Sequence, residues 1–143
     1  MGLRLSPSSI RHILTKVDSS RHDEAIDPGR FTLREAIAHL ADWEPILRDR
    51  IVTAVNSPET VIHGQDEEQM AIDHHYATWP VEESLRKLEE ERARTVAFCE
   101  TVTEEQWGQV ATHNERGPMT ALSYAWTIVG HDQYHVEQFA RYL

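Results

Sequence analysis

The chain has 143 residues, 24 of them acidic and 14 Lys or Arg, for a formal net charge of -10. That balance repels polyanions over most of a folded surface and argues against sequence-independent nucleic-acid binding. Hydrophobic residues make up 40%, enough for a core, and the length excludes two domains with separate substantial cores, so residues 1–143 read as one domain.

Ser6-Pro7 places a capping side chain before a proline at a first helical position. Ile10, Ile13, Leu14 and Val17 follow at helical spacing, which predicts a short helix over about 6 to 17. Asp27-Pro28-Gly29 reads as a turn. Thr32 and Glu35 then form a capping box, and an apolar stripe from Leu33 through Leu40, Leu47 and Ile51 to Val55 predicts a long helix over about 31 to 56. Pro45 lies inside it and predicts a kink near Ala41.

Residues 57–79 lose any clean period and read as a long connection with one helical turn around Glu67 to Ala71. Pro80 opens a helix predicted over about 80 to 102, carrying Leu85, Leu88, Val96 and Cys99 on one face. Thr103 and Gln106 form a second capping box before Gly108, and Gly117-Pro118 marks the start of a last helix over about 118 to 142. No segment alternates as a strand does. The economical architecture is all-α: a four-helix bundle with one long crossover connection.

Nine histidines are scattered along the chain, and two of them, His131 and His135, stand four apart on the last helix. That spacing stacks both imidazoles on one face, where one metal ion can be shared. Chance alone supplies about half of one such pair, and without a glutamate after His131 the motif is not that of the HExxH zinc proteases. His39, at the border of the apolar stripe of the second long helix, is the best candidate for a third ligand. The alternative for it is a core-edge histidine satisfied by Asp42, Glu35 or a backbone carbonyl. His12, His22, His63, His74, His75 and His113 fall in polar or irregular segments and are poorer candidates.

The segment from Pro28 through His39-Leu-Ala-Asp-Trp-Glu44, together with Gly130-His131-Asp-Gln-Tyr-His135-Val-Glu-Gln138, resembles the DinB-like superfamily of metal-dependent enzymes. That group includes bacterial thiol S-transferases and mycothiol-dependent maleylpyruvate isomerase. The likeness spans nearly the whole chain; Phe31 stands where the family often has tryptophan. It implies a four-helix bundle in which His39, His131 and His135 hold a divalent ion, which could be zinc, nickel, iron or manganese, with a low-molecular-weight thiol as a further cofactor.

Arg92 lies on the apolar face of the third long helix, where a guanidinium needs an anion. Gripping an anionic substrate is one use for it, and an ion pair with Glu44 is the other. Trp43 is the second substrate-binding candidate, beside the expected site. Cys99 reads as an inert core thiol.

The leading expectation is therefore a metal-dependent enzyme, a thiol S-transferase or hydrolase, that activates a thiol or water against a small molecule. A non-catalytic metal- or ligand-binding module, or a homodimer anchored by exposed tryptophans, are the alternatives. A single cysteine and the absence of any long apolar run suit a soluble, cytoplasmic setting without a membrane partner. Metal affinity is expected to fall below about pH 6 as protons compete for the imidazoles.

Overall fold

The computed structural model describes residues 2–143. Helix α1 spans Gly2–Leu14, so it begins before the Ser6-Pro7 signal and carries Pro7 inside. A proline there lacks the N–H that would bond the carbonyl four residues back, at Leu3. The Arg92 guanidinium donates to that carbonyl instead, at 3.0 Å from Nη1. Ile10 and Leu14 are buried, with Val17 just beyond the helix end.

Helix α2, Leu33–Asn56, starts at the expected capping box, with Thr32 Oγ1 accepting from the Glu35 amide and the Glu35 carboxylate from the Thr32 amide, both at 3.1 Å. It continues as one helix through Pro45 because the apolar stripe stays in phase on both sides, with Leu40, Leu47 and Ile51 all buried.

The connection after α2 is more ordered than its sequence suggests. Asp66 caps a short helix α3, Glu67–Asp73, and a 3-10 turn covers Tyr76–Thr78. The connection is fastened to α2 through Asp42, which accepts from the Tyr76 hydroxyl at 2.8 Å and pairs with His74 Nδ1 at 2.5 Å. Helix α4, Val81–Thr101, follows, and then α5, Glu104–Trp107, with its expected capping box.

The structure corrects the expectation of no strands. Strands β1, Val110–His113, and β2, Gly117–Thr120, form an antiparallel hairpin in which Val110 faces Thr120 and His113 faces Gly117. Gly117 takes φ +80° at the turn, a conformation that favours glycine. Ile62 from the long connection bridges to His113. Because Pro118 and Met119 belong to β2, the last helix, α6, starts at Ala121 and runs to Ala140, with Thr120 rather than Gly117 at its cap.

Helices α1, α4, α2 and α6 surround the core in that order, each packed on the next and α6 on α1. Two apolar clusters fill it. One joins Ile10, Leu33, Ile37, Leu88 and Phe139 near one end; the other joins Leu47, Ile51, Ala121 and Ile128 toward the opposite end. Along α2, α4 and α6 the segments between those clusters carry Glu44, Arg92 with Thr95, and Asp132, all buried. The site described next lies beside that polar layer. Among the described residues no helix is long and apolar enough to cross a membrane.

Candidate metal centre

His39 comes from α2, and His131 and His135 come from successive turns of α6, which packs against α2. The three imidazoles each offer a ring nitrogen, and these nitrogens lie within 4.8 Å of one another. His39 Nε2 stands 2.8 Å from His131 Nε2. The alternative partners for His39 are engaged elsewhere: Glu35 in the cap of α2, and Asp42 with His74 and Tyr76.

Burial keeps these rings unprotonated. Desolvation, reinforced by His131 and His135, pushes the His39 pKa down to about 2. Desolvation and the Arg92 charge push His131 to about 4, and desolvation with His131 pushes His135 to about 4. All three are neutral at pH 7 and have lone pairs to give. His135 Nδ1 donates to Gln138 Oε1 at 2.7 Å, which puts its proton on Nδ1 and leaves Nε2 to face its neighbours.

The residues fit a divalent ion. Three neutral imidazoles converge where few protons are available to be shared among them, and buried His39 Nδ1 has no hydrogen-bond partner. Such a donor set with open positions suits zinc, nickel, iron or manganese.

A cavity of about 720 Å³ opens over the histidines, walled by Phe31 from the turn before α2, by Glu67, Ile72 and His75 from the connection, and by Tyr134 from α6. Glu67 Oε2 lies 3.8 Å from His39 Nε2, with the carboxylate more than half exposed. Glu67 was missed in the sequence because it sits in a segment without period, where nothing ties its carboxylate to a histidine 28 positions earlier.

Arg92 makes the ion pair with Glu44 that the sequence offers beside a substrate contact. Its Nε and Nη2 donate to Glu44 at 2.7 and 2.9 Å, and its Nη1 and Nη2 donate to Asp132 at 2.7 and 2.9 Å. With Leu3 O on Nη1, all five N–H groups are used. Arg92 thus ties α4 to α1, α2 and α6 and fixes Asp132, the residue next to His131. Trp43 packs beside His39, with ring centroids 5.4 Å apart, but it lines a second cavity that also borders His131 rather than the larger one. His113 is buried in β1, and the remaining histidines do not join the cluster.

The fold and the sequence have counterparts in known proteins. The YfiT structure from Bacillus subtilis, described as "a probable metal-dependent hydrolase with an unusual four-helix bundle topology", matches with a TM-score of 0.91 over 99% of this chain and 81% of that one, at 21% identity. A protein of Oceanobacillus iheyensis named "Putative metal-dependent hydrolase" is 27% identical over 108 residues. That alignment covers 76% of this chain, and the chain spans only 62% of the relative's length. The family model described as the DinB superfamily matches residues 3–139, and the chain belongs to that superfamily.

Proposed function

We propose that this protein is a metal-dependent hydrolase of a small molecule, with His39, His131 and His135 as the ligands of one divalent ion. The observation that carries the reading is the convergence of three neutral imidazoles, those of His39 and His135 buried and that of His131 half-buried, on the wall of a cavity of about 720 Å³, a size that suits a small organic ligand. The printed names of the two relatives point the same way. An ion bound there supplies Lewis-acid character and lowers the pKa of a water or thiol in reach.

Glu67 is the general base in this reading. Its carboxylate borders the cavity within 4 Å of a ligand imidazole and is free to take a proton from the attacking nucleophile. The helical cap at Asp66 holds it at the first position of α3, and the bonds from His74 and Tyr76 to Asp42 hold α3 against the bundle.

The same arrangement serves a thiol in place of water. Thiol transfer is therefore the second reading. Both go with the cytoplasmic setting expected from the sequence; for the homodimer that the sequence offers as an alternative, Trp126, 63% exposed on α6, is the candidate anchor.

The test is an ester, amide and electrophile panel run with and without small thiols, on metal-loaded and metal-free protein. Metal-dependent turnover is expected, and Glu67→Gln should lower kcat by about 100-fold or more with bound metal unchanged. Turnover without added thiol identifies hydrolysis, and turnover only with thiol identifies transfer. Full activity of the metal-free protein would contradict both, and metal binding with no turnover across the panel would leave a binding module.

A further inference from the structure

A second cavity of about 310 Å³ is lined by Trp43, Arg50, Glu67, His113, Arg116 and His131 among others. The two cavities share Glu67 and His131. Arg50 projects from α2 two turns beyond Trp43 and is only 7% exposed, yet it makes no ion pair and no side-chain hydrogen bond among the described residues. Its guanidinium carbon lies 5.8 Å from the centre of the Trp43 ring, and its Nε is fully buried without a partner.

A buried cation without a counter-charge is costly, and here the cost is compounded. Desolvation and the nearby Arg116 both push the Arg50 pKa down from its ordinary value. Of the two carboxylates on the cavity wall, Glu115 offsets part of this through its charge, and neither pairs directly with Arg50. Glu115 is packed against Gly64, its oxygen 2.7 Å from where a Cβ would stand, and exposed Glu67 faces His39.

His113 adds a donor of defined direction. Its Nδ1 accepts the backbone amides of Glu115 at 3.1 Å and Arg116 at 3.2 Å, so its proton resides on Nε2. That Nε2 is buried and has no partner. One small cavity thus holds an unpaired buried guanidinium, an unpaired buried imidazole N–H and a second arginine. This is the chemistry that binds a carboxylate or a phosphate.

We infer that Arg50, His113 and Arg116 form a subsite for a small oxyanionic group, which holds the anionic end of a ligand against the wall it shares with the metal centre. Anion binding stands on this cavity alone; its use as the substrate's handle rests on the proposed function. Trp43 gives the pocket an apolar flank and stacks on the guanidinium that grips the anion.

The experiment is calorimetric titration with succinate and, separately, inorganic phosphate, on the metal-loaded protein, on protein stripped by chelator, and on His135→Ala. Saturable binding at millimolar concentration is expected in all three, and the tighter probe identifies carboxylate or phosphate as the preferred group. Arg50→Met should weaken binding at least tenfold without lowering thermal stability, because Arg50 leaves no internal partner orphaned. Arg116→Ala, at an exposed position, should weaken it severalfold and serves if the first variant fails to fold. Binding that survives loss of metal while turnover does not separates this subsite from the catalytic reading. No saturable binding of either probe, or unchanged affinity in both arginine variants, would overturn the subsite.

Discussion

Arg92→Ala is expected to destabilise the protein by about 3–5 kcal/mol. The wild-type side chain is 2% exposed and pairs with both Glu44 and Asp132, themselves 1% exposed, through two hydrogen bonds to each. Its removal strands two carboxylates in a low-dielectric layer and frees the Leu3 carbonyl that Pro7 leaves without a helical donor. Thr95 Oγ1, which donates to Glu44 at 2.8 Å, cannot replace a charge. For a chain of this length the loss corresponds to a fall in Tm of roughly 10 °C or more. Urea unfolding at pH 7 measures it. A triple variant that also carries Glu44→Gln and Asp132→Asn should recover part of the loss, since no charge is then left unpaired. A cost below about 1 kcal/mol for Arg92→Ala would contradict the role assigned to the ion triad.

Acidification of the metal-free protein is expected to produce the second large effect. The unfolded chain binds protons at its histidines near pH 6.5, whereas in the fold His131 and His135 titrate at about 4 and His39 at about 2. Between those limits the unfolded state holds more protons, so stability falls as pH falls. It is fully present above about pH 6.5 and is lost progressively toward pH 4. Each imidazole contributes about 1.4 kcal/mol per pH unit, which for three approaches 4 kcal/mol per unit near pH 5. Denaturant unfolding in chelator from pH 7 to pH 5 reads the slope directly, and His39→Phe should flatten it by about a third. The sequence-based expectation that metal affinity fails below about pH 6 changes accordingly. Protons compete little with an ion for rings that stay neutral to about pH 4; the weak point in acid is the fold that holds them. A flat profile over that range would show that the imidazoles are protonated in the native state.

The helices were legible because their signals are local. Capping boxes at Thr32 and Thr103 form as expected, and the stripe on α2 buries the residues it named. The hairpin was not, because two strands of four residues are too short for alternation to register, and Gly117-Pro118 signals a helix start as readily as a turn. Thr120 was the competing cap that won. In the site, the HxxxH spacing pointed to His131 and His135, the border of the apolar stripe made His39 the best third candidate, and the resemblance named all three as ligands. Arg92 was identified as needing an anion, and Glu44 was named as a partner, but Asp132 was hidden inside the histidine motif itself. Arg50 carried no signal at all. It lies between Leu47 and Ile51 like any charged residue at the edge of an apolar stripe, and only the packing of the hairpin beside α2 shows that its charge is buried without a partner.

Metal analysis of protein purified without an affinity tag or added metal tests the central claim most directly. Close to one equivalent of a single divalent metal is expected in the wild type, and His39→Ala and His135→Ala should each lose most of it while keeping the helical signal, since the two apolar clusters do not depend on the ion. A wild type that holds no divalent metal even after it is offered zinc, nickel, iron or manganese, or histidine variants that keep the full complement, would contradict the three-histidine centre.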